Sequence, residues 1–140
     1  MAQTPGTTKR LPSQENLLLD YVHRLEAHKE GRKVVHLHLS NLRSSNKREH
    51  HIRAAANMFE GLVKSLQGQL FVLKNVDLIL IFKVEVLHQV ETVVQKVRFL
   101  FGDDPLLEDE TEAARFTTWY DAKTDFDEFV RLVQEIVEAE

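Results

Sequence analysis

Apolar residues change their spacing several times along this chain, and each change marks an element. Leu17, Leu18, Tyr21, Val22 and Leu25 recur at helical spacing behind Ser13, a hydroxyl suited to capping, and ahead of Gly31, so a leading helix is predicted over 14–30. The stretch 34–42 is dense in Val and Leu and too short for a helix, and it reads as a first strand. Ile52, Ala55, Ala56, Phe59, Leu62, Val63 and Leu66 then keep a helical period, which predicts one long helix over 47–66, closed by Gly68. Two strands follow, 69–73 and 77–83, joined by a tight turn at 74–76 in which Asn75 is the residue suited to positive φ. Because the run Leu78-Ile79-Leu80-Ile81-Phe82 is apolar throughout, this strand is expected at the centre of a sheet covered on both faces.

A second long helix over 84–101 carries Leu87, Val90, Val93, Val94, Val97 and Leu100 on one stripe. An acidic loop over 102–114 leads to a fourth strand at 116–121, where adjacent Trp119 and Tyr120 must face opposite sides. A closing helix over 125–140 buries Phe126, Phe129, Val130, Val133 and Ile136. The order α, β, α, β, β, α, β, α contains a βαββαβ core with one central hairpin. That is the ferredoxin-like arrangement of the α+β class: a four-stranded antiparallel sheet with two helices on one face, here decorated by added N-terminal and C-terminal helices. The reading divides the chain into a flexible tail, 1–12, and a single domain, 13–140, whose core is 33–121. The closing helix has no Gly, Asn or Pro to stop it, so the chain is expected to be part of a longer protein.

Composition narrows the function classes more than the fold. With 22 acidic against 18 basic residues, the net charge of -4 argues against a dedicated nucleic-acid binder, whose phosphate contacts need a basic excess. The absence of cysteine removes disulfides and thiolate chemistry. No signal-peptide pattern opens the chain, and no stretch reaches the roughly eighteen apolar residues of a membrane span, so a cytoplasmic domain without a membrane partner is expected.

The entry from the first strand into the following helix resembles the diguanylate cyclase, or GGDEF, family, whose first strand reads approximately D-x-D-x-F-K-x-x-N. Here His38-Leu39-Ser40-Asn41-Leu42-Arg43-Ser44-Ser45-Asn46 falls on that pattern, and Asn75-Val76-Asp77-Leu78-Ile79 falls on the GGDEF signature. The resemblance covers roughly 33–121 and implies a degenerate member. His38 and Ser40 replace the metal-holding aspartates, Asn75 and Val76 the glycines, and Leu78 the glutamate, while the family's R-x-x-D inhibition motif is absent. Without those oxygen ligands, magnesium cannot be clamped on a triphosphate. The resemblance therefore implies no enzyme and no cofactor. It implies instead a regulatory or protein-interaction domain of bacterial signalling, acting on a protein partner or by self-association, for which the stripe of the leading helix is a candidate. A C-terminal EAL-like neighbour is the family's habit.

A competing reading is a nucleotide or anion sensor. Arg43, Lys47, Arg48, His50, His51 and Arg53 gather at the predicted helix start, where free backbone N–H groups favour anions, and Arg43, Asn46, Lys47, Arg48, Arg53, Asn75 and Asp77 form the candidate ligand site. A second alternative is an RNA-binding βαββαβ domain, since Leu37 to Leu42 approximates a ribonucleoprotein motif, but the third strand supplies no ring before Phe82. His36 and His38 share one strand face, yet no carboxylate or cysteine stands at ligand spacing beside them in sequence, and no metal is assigned. The acidic run Asp103, Asp104, Glu108, Asp109, Glu110 and Glu112 lacks the spacing of a calcium loop and reads as a solvated surface.

Overall fold

Alternation along the two central strands decides the architecture. The computed structural model describes residues 13–108 and 115–139; the tail at 1–12, the stretch 109–114 of the acidic loop and Glu140 lie outside them. In chain order the elements are α1 (Gln14–Leu25), β1 (Arg32–Leu37), α2 (Glu49–Asn57), α3 (Glu60–Lys64), β2 (Gly68–Val72), β3 (Leu78–Lys83), α4 (Leu87–Leu100), α5 (Pro105–Glu108), β4 (Thr117–Asp121) and α6 (Phe126–Glu138). The sheet order is β2-β3-β1-β4, with every neighbour antiparallel, which is the ferredoxin-like order.

One face of β1 and β3 presents Val35, Leu37, Leu78, Leu80 and Phe82 to Ile52 and Ala55 of α2, to Phe59 and to Val90, Val94 and Val97 of α4. The other presents Val34, Ile79 and Ile81 to Leu18, Val22 and Leu25 of α1 and to Phe126, Phe129 and Val133 of α6. The added helices are thus a third layer rather than decoration, because a strand that is apolar on both faces must be covered on both. That layer occupies the sheet face on which RNA-recognition domains stack bases, and Phe82 lies buried under α2 and α4 instead. Trp119 and Tyr120 divide as expected: Trp119 meets Phe82 on one face, and Tyr120 meets Phe129 on the other.

Three local departures from the sequence pattern have identifiable causes. β1 ends at Leu37; the chain then makes a short 3₁₀ turn at Leu39–Asn41, which drops Leu39 and Leu42 into the core. The long helix predicted over 47–66 breaks between α2 and α3, where Met58 and Phe59 donate to the carbonyls of Ala55 and Ala56, three residues back. Since Phe59 is fully buried and Leu62 packs on the same core, the apolar period continues across the break and hides it. Beyond Lys64 the chain closes in a Schellman motif, with Gln67 N–H donating to Leu62 O and Leu66 N–H to Val63 O, and with Leu66 at φ 63. In the turn before β3, positive φ falls on Val76 (φ 75), not on Asn75. Asn75 serves the turn through its side chain, Oδ1 accepting from Asp77 N–H at 3.0 Å.

Candidate functional site

At the end of β1 the alternation that buries Val34 against α1 and α6 places His36 on the same face, opposite Ile79 and Thr118. His38 follows on that side, and the two imidazoles stack with centroids 3.9 Å apart and planes at 28°. The pairing of Leu37 with Leu78 carries Asp77 up to these rings. Asp77 Oδ2 lies 2.9 Å from His36 Nε2 and 3.9 Å from His38 Nδ1, and accepts from Asn75 Nδ2 at 3.3 Å. Its other oxygen accepts from Ser40 N–H at 2.8 Å. His38 Nε2 is 2.7 Å from Thr118 Oγ1, and His36 Nδ1 is buried without a hydrogen-bond partner.

The electrostatics of the cluster follow from burial and company. Burial raises the Asp77 pKa, but the hydrogen bonds from His36 and Ser40 outweigh it and hold the carboxyl below its ordinary value. His38 is pushed down, first by burial and then by His36, against the pull of Asp77. An anionic carboxylate therefore faces a neutral imidazole at the end of β1.

A second carboxylate, Asp104, organises the residues that follow. Buried beside α5, it accepts from Arg43 N–H at 3.0 Å and Asn46 Nδ2 at 2.8 Å through Oδ2, and from Leu106 N–H at 2.9 Å through Oδ1. Burial raises its pKa as well, and the bonds from Asn46, Leu106 and Arg43 bring it below the ordinary value. The Arg43 guanidinium turns outward to Asp103 at 3.1 Å. Lys47 Nζ donates to Ser40 O at 3.1 Å, and Arg53 pairs with Glu49 one turn away on α2. Arg48 precedes α2 as its exposed N-cap without a side-chain capping bond.

The predicted site residues therefore divide between two carboxylates. Asn75 and Asp77 meet each other, and Asp77 meets the histidines; Arg43 and Asn46 meet at Asp104; Lys47 reaches the Asp77 side through the carbonyl of Ser40, whose N–H Asp77 holds. Arg48 and Arg53 join neither. What the sequence reading missed are the partners: His36 and His38 at Asp77, Thr118 at His38, and Asp104 beneath Asn46. The histidines lack a carboxylate in sequence but not in space, because β1–β3 pairing spans the separation of 41 positions from His36 to Asp77. Alternate histidines entering a turn opposite a lone aspartate were the available signal.

Beside this region α2, Val72 and Val76 frame an open apolar groove of about 500 Å³, lined by Ile52, Ala56, Val72 and Val76 and rimmed by Lys47, Glu49 and Arg53. Among the described residues, no helix is long and apolar enough to cross a membrane. No family model, curated protein or solved structure matches this chain.

Proposed function

We propose that this chain is a non-catalytic regulatory or protein-interaction domain of the degenerate diguanylate cyclase type, acting in bacterial cytoplasmic signalling through a protein partner or a second copy of itself. The observation that carries this reading is mutual satisfaction. At the positions where the resemblance would put nucleotide-binding chemistry, Asp77 is engaged by His36, Ser40 and Asn75, Asn46 by Asp104, and Arg43 by Asp103 and Asp104. A nucleotide would have to break these contacts before making its own, and it would meet a buried carboxylate next to its phosphates. The ion pairs of Arg43 and Arg53 likewise lower the positive potential on which an anion sensor depends.

Residue-resolved NMR titration of the labelled chain with GTP, cyclic di-GMP and magnesium tests this. A flat response is expected. Saturable shifts at Arg43, Asn46, Lys47, Arg48, Arg53, Asn75 and Asp77, abolished by Arg43→Glu with Arg48→Glu, would replace this reading with a nucleotide sensor; product formed from GTP would replace it with a cyclase.

A further inference from the structure

We propose that His36, His38 and Asp77 form a binding site for a divalent transition ion of the zinc class. One donor atom from each residue lies within 4.8 Å of the others. The distances of 2.9 and 3.9 Å from Asp77 Oδ2 to His36 Nε2 and His38 Nδ1 straddle the separation of roughly 3.4 Å that tetrahedral bonds of about 2.0–2.1 Å require. Small movements therefore suffice. The imidazoles, now stacked, converge by turning about their Cβ–Cγ bonds, a torsion with broad minima.

The surroundings orient the ligands as an outer shell does. Ser40 N–H holds Oδ1 and leaves Oδ2 directed at both rings. His38 Nε2 is 2.7 Å from Thr118 Oγ1, and in the tautomer that donates Nε2–H to this hydroxyl, Nδ1 offers a lone pair on the Asp77 side. In that tautomer the lone pair and a carboxylate oxygen face each other at 3.9 Å, and a cation placed between them is held by both. His38 is one quarter exposed while His36 and Asp77 are nearly closed off, so the ion enters past His38 and keeps its fourth position toward solvent. Two imidazoles with one carboxylate suit zinc, cobalt or nickel and disfavour magnesium or calcium. As the ion binds, the His36 Nε2 proton now shared with Asp77 passes to the unpartnered Nδ1 of the same ring, so the imidazole ligates as a neutral tautomer with no net release of a proton. The inference stands apart from the regulatory reading, since it needs no nucleotide and no partner.

The test is calorimetric titration of the metal-free full chain with Zn²⁺, together with the visible absorption of the Co²⁺ form. One ion per chain and the intense bands of low-symmetry, four-coordinate cobalt are expected. His38→Ala should weaken binding by more than the 10–100-fold typical of losing an outer partner, and Thr118→Ala by an amount within that range. A joint His50→Ala, His51→Ala variant removes the other adjacent imidazole pair, whose rings are 4.0 Å apart, and should bind as the native chain does. No stoichiometric binding overturns the proposal, as does binding that survives both His38→Ala and Thr118→Ala or is lost with His50 and His51.

Discussion

Asp77 and Asp104 are two buried carboxylates that tie loops to the same end of the sheet, and they do it with different partners. Asp104 is saturated by groups that cannot change charge: two backbone N–H groups and the Asn46 amide. Asp77 is held by one backbone N–H and the Asn75 amide, and it faces two imidazoles. Equal burial thus yields a structural fastener in one place and reactive chemistry in the other. Partner type makes the difference, because toward a carboxylate an amide only donates a hydrogen bond, whereas an imidazole can give up its proton and offer a lone pair to a cation.

Removing the fastener should produce the largest effect. Asp104→Ala leaves the N–H groups of Arg43 and Leu106 and the amide of Asn46 without an acceptor, and a loss of about 3 kcal/mol in urea unfolding is expected; a loss under about 1 kcal/mol would mean that water replaces the carboxylate. Asp77→Asn should cost less in metal-free protein, about 1.5 kcal/mol, because Oδ1 still accepts from Ser40 and His36 can change tautomer to accept from the new amide. The same variant should erase the Zn²⁺-induced rise in melting temperature, while an Asp104→Asn chain keeps it; equal responses would dissolve the distinction between the two carboxylates.

Acid should unlock the fastener in a defined direction. The Asp104 pKa is depressed on folding, so its stabilisation is present above the ordinary carboxylate value, near 3.9, and is lost as pH falls toward the lower folded value. Urea midpoints measured from pH 7 to pH 3 should therefore fall less steeply at the acid end for Asp104→Asn than for the native chain; parallel curves would remove Asp104 as the source. The smallest expected effect lies outside both clusters. Leu66 is exposed and holds the left-handed position of a Schellman motif, so Leu66→Gly should raise stability by about 0.5 kcal/mol, the backbone strain removed exceeding the entropy Gly brings to the unfolded chain.

The helices and strands were legible where their apolar periods were long. Leu87, Val90, Val94 and Val97 announce α4, and the run from Leu78 to Phe82 announces a strand buried on both faces. The break after Asn57 was not legible, because Phe59 and Leu62 keep one side buried through it. Nor was the positive φ of Val76, a β-branched residue in a conformation that favours glycine or asparagine; its turn is imposed by the Leu73–Asp77 and Val76–Leu73 backbone bonds around it. At the candidate site the sequence marked Arg43, Asn46, Asn75 and Asp77 but assigned them to a ligand, where folding gives them to one another and to Asp104 and His36.

By itself, the sequence determined where the periodic helix and strand segments lie, though not where each breaks or ends, and which of their sides turn inward, since period and side-chain chemistry are local properties that survive without knowledge of neighbours. Only the tertiary structure decided that α1 and α6 close the second face of the sheet, that the Arg43 guanidinium turns to Asp103, and that Asp77 stands against His36 and His38. Each of these depends on strand pairing and helix docking between residues distant in the chain, and no local pattern records the register in which such segments meet.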